Sequence, residues 1–358
     1  MLKIALLLGG KSTEHEISLK SSNFIFHTLD KTKYKVKPVF IDKSGNWIIP
    51  SNFEVNLPDI KSISEKFPLE KISDEYKTEF ISNNKIISQN GISISDLDCD
   101  LVFIGLHGGD GENGILQAFL EMNSIPFTGS SVLASALAMD KERANFLFLS
   151  AGLNVANFIN VKRKDYSLGG EGFLKNFHLN FPVFIKPTTG GSSVGVGKAN
   201  NIIEIVSKLN ELFLTENSVL IQENISGIEV SCGVLEKKIG QSYEAFSLYP
   251  TEIVPTNEFF DYEAKYKLGK SQEITPARIS KELTDSIRES ALLAHKILGC
   301  KGYSRTDFIL QNNKPYILET NTLPGMTETS LIPQQAAYAG FAMKDVFDWL
   351  IQNALESA

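Results

Sequence analysis

Residues 303–325, YSRTDFILQNNKPYILETNTLPG, constrain the chain more than any other stretch. They read as strand, turn, strand, loop. Two segments rich in aromatic, β-branched and long apolar residues flank Gln311-Asn312-Asn313-Lys314-Pro315, a turn-forming cluster. Side chains alternate along a strand, so Arg305 and Asp307 share one face, as do Glu319 and Asn321. A turn centred on Asn313 puts Asp307 opposite Glu319 and Arg305 opposite Asn321. Directly opposed side chains lie about 4.5–5.5 Å apart, so two carboxylates there repel unless a positive charge sits between them. One reading is a hairpin with a solvated polar face. The other is a site for a hard divalent cation, because Asp, Glu and Asn offer oxygen donors that suit Mg²⁺ rather than zinc. An apolar opposite face of Phe308, Leu310, Tyr316 and Leu318, together with the aligned carboxylates, favours the cation.

The start of the chain predicts a parallel sheet. Residues 3–8 are a largely apolar run followed by Gly-Gly, as in a buried parallel strand. A loop through Glu14 leads to a helix over 17–29, with Thr13 and Glu16 spaced as a capping box, and then to a strand over 35–41. This is βαβ order, and ligands bind in the loops at the carboxyl ends of such strands. Glu14 is thus either a first-turn helix charge or a group facing a ligand. Residues 51–95 carry mixed polar sequence interrupted by Pro58 and Pro68; within them Asn90-Gly91 predicts a hairpin turn between 85–87 and 92–94. Residues 101–106 predict another buried strand, feeding HGGDGENG and a helix over 115–122. Gly109, Gly111 and Gly114 fit GxGxxG, but no acidic residue follows where a dinucleotide ribose needs one, so that reading fails. His107 is either a packed strand-end histidine or a ligand contact.

A second unit begins near Ser131. A helical stretch carries Lys141 and Arg143; a strand over 181–187 holds Lys186 near its end; then comes TTGGSSVGVGK, rich in glycine and hydroxyl groups. Successive backbone N–H groups of such a loop can cradle a phosphate, or the loop is a simple turn. It is not GxxxxGK[ST]. After a helix over 201–212, two strands bracket a short link, with Glu223 and Glu229 at its ends. They either grip an adenosine or are solvated acids. Residues 258–270, EFFDYEAKYKLGK, are a lid or an exposed loop, and 280–298 form a long amphipathic helix.

The net charge of −7 argues against general affinity for nucleic acid or an anionic membrane. No apolar run approaches the ~20 residues of a membrane span, and the opening MLKIALLL ends in Gly-Gly-Lys without a small-residue cleavage site. Cys99, Cys232 and Cys300 are too few and too scattered for a disulfide framework, which points to a reducing cytoplasm.

Taken together, LLLGGKSTEHEISL, GLHGGDGENG, MDKERA, IKPTTGGSSVGV, FFDYEAKY, SRTDF and LETNTLPGMTETSLIP resemble the ATP-grasp superfamily and, within it, the D-alanine–D-alanine ligase family. The resemblance implies an α/β fold with three-domain ATP-grasp architecture: an N-terminal parallel-sheet domain (1–129) followed by two α+β domains (130–223 and 224–358) gripping ATP. It implies ligation of two D-alanines through an acyl phosphate, in the cytoplasm, by a homodimer. Asp307, Glu319 and Asn321 would hold two Mg²⁺ ions, with Mn²⁺ as the alternative metal. Lys141 and Lys186 would contact ATP phosphates under a loop that includes Gly191 and Ser193. Glu223, Asn224, Ile225 and Glu229 would lie at the adenosine. Arg305 and the Gly325 N–H would stabilise an oxyanion. Glu14 would pair with the first ammonium in a set with Ser192 and Tyr266, with His107 nearby. Ser330 and Leu331 would receive the second carboxylate, with Lys265 close by. Related ligases that make D-alanyl-D-lactate depart from the tyrosine at Tyr266, so this chain resembles the dipeptide-forming type. Thr189-Gly190 stands where some relatives have a bulkier, often charged pair.

Overall fold

The computed structural model describes residues 1–50, 84–87, 91–174, 180–191, 194–255 and 271–356. The opening apolar run forms β1 (Leu2–Gly9), buried from Ile4 onward, as a strand covered on both faces must be. Helix α1 (His15–Thr28) leads to β2 (Tyr34–Ile41), parallel to β1. Strands β3 (Trp47–Pro50) and β4 (Asn84–Ile87) continue the sheet antiparallel, while β5 (Leu101–Ile104) lies parallel on the other side of β1. The order β4-β3-β2-β1-β5 places the switch point between β1 and β5, so the loops after these two strands border one crevice.

Helices α2 (Gly109–Glu112), α3 (Ile115–Met122), α4 (Val132–Met139) and α5 (Lys141–Ser150) follow. Next come the short β6 (Asn154–Val155) and a four-stranded antiparallel sheet of order β7-β10-β8-β9, built from β7 (Phe158–Lys162), β8 (Val183–Pro187), β9 (Gly197–Ala199) and β10 (Ser218–Glu223). Helices α6 (Arg163–Leu174) and α7 (Ile202–Leu212) belong to this unit, and Ile205 and Leu209 of α7 pack on Val183, Ile185 and Val219. The third sheet runs β14-β13-β11-β15-β16-β6, with β12 (Ser242–Ser247) on β11 (Ile228–Ile239); its other members are β13 (Thr251–Pro255), β14 (Ser271–Ile274), β15 (Tyr303–Gln311) and β16 (Lys314–Asn321). Helix α8 (Lys281–Leu298) covers one face of it. Ile287, Ala291, Ala294 and Leu298, one helical face, meet Val230, Phe308 and Ile317. Helices α9 (Leu331–Tyr338) and α10 (Met343–Glu356) close the fold. Val346, Phe347 and Leu350 of α10 share a core with Ile4, Leu6 and Phe103 of the first sheet. No helix among the described residues is long and apolar enough to cross a membrane.

The hairpin is tighter than a turn centred on Asn313. Gln311 faces Lys314, and Asn312 and Asn313 both have left-handed backbone, at φ 50° and 58°, as a two-residue I′ turn requires. A bulge between Asp307 and Phe308 then shifts the register by one residue, and Asp307 faces Glu319 while Arg305 faces Asn321. The same bulge corrects the apolar face. Phe308 and Leu310 are joined in the core by Ile317, and Pro315 is buried opposite Leu310, while Tyr316 and Leu318 are only partly buried. Two other expectations are corrected. Thr13 does not hold the N-cap position that a capping box with Glu16 requires: α1 starts at His15 with Glu14 there, and Glu14 makes no side-chain cap bond. Residues 85–87 and 92–94 form no hairpin: β4 pairs with β3, and Ile94–Asp96 is a 3₁₀ turn. The partner strand lies far back in sequence, where a local turn signal cannot reveal it. Residues 88–90 lie outside the described residues.

The turn gives a direct check. Asn312→Ile puts a β-branched residue at positive φ and should cost about 1–2 kcal/mol in urea unfolding, whereas Asn312→Gly should leave the midpoint nearly unchanged.

Candidate active site

The third sheet presents its polar face around Asp307, which is 7% exposed. Its carboxylate accepts at four points: Ser231 Oγ at 2.5 Å and Arg305 Nε at 2.9 Å on one oxygen, Arg305 Nη2 at 2.9 Å and Asn321 Nδ2 at 3.2 Å on the other. Strand pairing puts Ser231 opposite Asp307 on β11, so both neighbouring strands supply partners. The donors are hard oxygens plus an amide that turns its oxygen inward by a flip, and this set fits Mg²⁺. A cation taken up by Asp307 displaces at least one of its present donors. Among the described residues no group of three or more His, Cys, Asp and Glu side chains is arranged to hold a metal; the set here is two carboxylates and an amide.

A cavity of about 30 Å³ brings the predicted residues Glu14, Lys141, Gly191, Glu319 and Asn321 together, along with Glu112 and Thr322. Lys141 Nζ donates to the Gly190 carbonyl at 2.5 Å, which ties the first turn of α5 to the glycine-rich loop. The hydroxyl of Thr322 is buried without a partner among the described residues. Glu14 is 9% exposed, and Gly108 lies against it: a Cβ there would stand 2.7 Å from Glu14 Oε2, and its φ is +62°. Only glycine fits.

His107 is 5% exposed and joins two regions. Its Nδ1 lies 2.8 Å from the Leu323 carbonyl and its Nε2 2.8 Å from Ser21 Oγ. A carbonyl only accepts, so Nδ1 carries the proton; Ser21 Oγ accepts from Met326 N–H at 3.1 Å and has its own proton for Nε2. A neutral imidazole satisfies this chain of bonds, and burial lowers the His107 pKa. Gly325 lies between these anchors. A Cβ on it would stand 3.0 Å from Ser330 Oγ, and Ser330 occupies the N-cap position of α9, with Leu331 first in that helix.

Lys186, expected at the phosphates, and Glu223, Asn224, Ile225 and Glu229, expected at the adenosine, are not among the residues lining this cavity. Lys186 lies on β8 opposite Leu220, and Glu229 on β11 opposite Ile309 and Ile253. Glu223 ends β10, and its carboxylate accepts from Asn157 Nδ2 at 3.0 Å and from Asn180 N at 2.7 Å and Nδ2 at 2.9 Å. Asn224 N–H donates to the Pro182 carbonyl at 3.0 Å, and Ile225 is half-buried beside it. Ser192, Ser193, Lys265 and Tyr266 lie outside the described residues.

Sequence reasoning missed three features. One is the buried serine face of α1: Ser18, Ser21 and Ser22. Ser18 Oγ accepts from Gly9 N–H at 2.9 Å and donates to the Gly105 carbonyl at 2.7 Å, linking the ends of β1 and β5. Serines three and four residues apart on one helical face were the available signal. The second is Glu112, 8% exposed, which accepts from Gly108 N at 3.0 Å, Thr322 N at 3.1 Å and Leu323 N at 3.2 Å. Three such bonds hold a carboxylate's pKa down, yet burial, with the Glu14 charge adding to it, pushes this one up to about 7. The third is Glu273 on β14, which shares the sheet face of Glu229 and Asp307, accepts from Gln334 Nε2 at 2.5 Å and is pushed up by burial.

Comparison with known proteins adds to this geometry. The family described as D-ala D-ala ligase N-terminus matches residues 3–130, and that described as D-ala D-ala ligase C-terminus matches residues 147–352. The chain is 50% identical over 355 residues to the D-alanine–D-alanine ligase of Leptospira biflexa and 48% identical over 357 residues to that of Leptospira interrogans serovar Lai, covering 99% of each chain in both cases. Among solved structures it resembles the VanG D-Ala:D-Ser ligase from Enterococcus faecalis (TM-score 0.80, 32% identity, 99% of both chains). It also resembles the D-alanine–D-alanine ligase from Coxiella burnetii (TM-score 0.77, 27% identity, 99% of this chain and 94% of that one).

Glu112 makes stability depend on pH in a defined direction. Its folded pKa lies above the unfolded value, so its contribution is full below about pH 4.5 and is lost as pH rises through about 7. In urea unfolding across that window, wild type should lose on the order of 3 kcal/mol relative to Glu112→Gln as pH rises. A pH-independent difference between the two proteins would remove Glu112 as the titrating group.

Proposed function

Because the chain belongs to the D-alanine–D-alanine ligase family, we propose that it joins two D-alanine molecules into D-alanyl-D-alanine, with ATP converted to ADP and phosphate, in the supply of peptidoglycan precursors. The observation that carries this reading is the meeting of Glu14, Lys141, Gly191, Glu319 and Asn321 at one cavity, beside the hydrogen-bonded pair Arg305–Asp307.

A carboxylate has no competent leaving group. Transfer of the γ-phosphoryl group to a carboxylate oxygen of the first D-alanine breaks the bond to ADP and creates one. The amine of the second D-alanine then attacks the carbonyl carbon, and phosphate departs as the tetrahedral intermediate collapses. Asp307, Glu319 and Asn321 would hold Mg²⁺, which when bound spreads the charge of the transferring phosphoryl group. Lys141, tethered to the loop of Gly190 and Gly191, and Lys186 would meet the phosphates. Glu223, Asn224, Ile225 and Glu229 would take the adenosine. Glu14, buried against Gly108, would receive the first ammonium, with Ser192, Tyr266 and His107. Arg305 and the Gly325 N–H would face the developing oxyanion, where preorganised donors act most strongly. Ser330, Leu331 and Lys265 would hold the second substrate. The units 1–129, 130–223 and 224–358, assembled as a homodimer, complete the reading. The free thiols Cys99, Cys232 and Cys300 suit the cytoplasm.

Phosphate release from Mg-ATP tests it. Release is expected with D-alanine, accompanied by the dipeptide, and not with L-alanine or without amino acid. A preference for D-serine or D-lactate as the second substrate would instead move the chain toward its D-Ala:D-Ser-type neighbour or the depsipeptide makers. Glu319→Ala should lower kcat at least about 100-fold with an unchanged circular dichroism spectrum; near-normal turnover would sink the metal assignment.

A further inference from the structure

Asn321, at the end of β16, leads directly into the segment 322–326, which contains Gly325. This segment is pinned to the first sheet's loops through four backbone atoms. Glu112 Oε1 accepts from Thr322 N and Leu323 N, His107 Nδ1 donates to the Leu323 carbonyl, and Ser21 Oγ accepts from Met326 N. The other oxygen of Glu112 accepts from Gly108 N at 3.0 Å, and Gly108 is the residue packed against Glu14. One buried carboxylate therefore spans two loops that are more than 200 residues apart in sequence. On one side it fixes the wall of the Glu14 pocket, and on the other the segment that carries the Gly325 N–H.

We propose that Glu112, seconded by Ser21, is a positioning residue: it sets the separation between the Glu14 pocket and the Gly325 N–H, so that one bound amino acid meets both. The proposal rests on the ligase reading above. Glu112 touches no reacting atom in it. Its reach is what matters, because a displacement of about 1 Å in such a donor costs on the order of 100-fold in rate. An oxyanion donor gains its effect from being fixed before the charge develops. Glutamine at this position keeps the length of the side chain but turns an N–H₂ group toward a backbone donor. Aspartate keeps the charge but is one methylene too short to bridge Gly108 and Thr322.

The experiment uses the full chain and two readouts. In steady-state assays with Mg-ATP and D-alanine, Glu112→Gln and Glu112→Asp should each lower kcat per folded molecule about 10- to 100-fold, with KM for ATP within about twofold of wild type. Ser21→Ala, which frees Met326 N and removes the partner of His107 Nε2, should lower kcat about threefold or more in the same pattern. In hydrogen–deuterium exchange, the peptide covering 320–327 should lose protection in all three variants, while the β10 peptide does not. A purely structural role would lower Tm and leave kcat per folded molecule intact, and that result overturns the proposal. Unchanged exchange at 320–327 overturns it as well, whatever the activity. Should a Glu112 variant fail to fold, Ser21→Ala decides by the same two readouts. Wild-type protein that forms no dipeptide, with exchange at 320–327 still dependent on Glu112, refutes the function and the proposed catalytic role but leaves the clamp between the loops.

Discussion

Two carboxylates held opposite each other on neighbouring strands set the terms for everything around them. Asp307 and Glu319 face each other because a two-residue turn fixes one register and a bulge beside Asp307 converts it to another. Such a pair is tolerated only where positive charge and donors converge. Arg305 is placed two residues along the same strand face, Ser231 opposite on β11 and Asn321 opposite Arg305 on β16. The rigid side of the arrangement is the apolar one. Phe308 and Ile317, both fully buried, lock the hairpin against α8. The polar face can keep spare hydrogen-bonding capacity because the other face holds the strands still.

The second constraint is the supply of backbone donors and acceptors where loops converge. Loops after β1, β5 and β16 meet at the switch point of the first sheet, where strand ladders no longer satisfy their backbone groups. Side chains from α1, α2 and the loop after β5 satisfy them instead. Ser18 serves Gly9 and Gly105, Ser21 serves Met326, His107 serves Leu323, and Glu112 serves three N–H groups. The polarity of these buried positions is thus a consequence of the topology. It also explains why a carboxyl pushed up to about 7 and a histidine whose pKa burial lowers both bind the backbone of Leu323.

Much of this was legible in the residues. The alternation in 303–325 yields the facing pairs Asp307–Glu319 and Arg305–Asn321, and the apolar runs mark β1, β2 and β5 within a residue or two. The expected turn centre is wrong, and the bulge makes up the difference; a bulge leaves little trace in a sequence because it depends on the opposing strand. That is also why Ile317 takes the core place expected for Leu318. Glu112 sits in a glycine-rich loop and looks like any first-turn helix acid. Its meaning comes from Thr322 and Leu323, which only the folded chain brings near. The serines of α1 look like solvated polar residues until the strands they tie are in place. β4 escapes a local reading because it pairs with β3, far back in sequence.

The core shared by α10 and the first sheet has a consequence for how the protein is made. Phe347 packs edge-on against Phe103, with ring centroids 5.6 Å apart, and against Phe24 at 6.1 Å, while Asp348 accepts from Tyr34 Oη at 2.9 Å. The first sheet emerges from the ribosome before the last helix of the described chain, which packs on its apolar face. At roughly 5–20 residues per second, that face waits tens of seconds for its partner. The nascent chain in that interval carries an exposed apolar surface of the kind that chaperones bind.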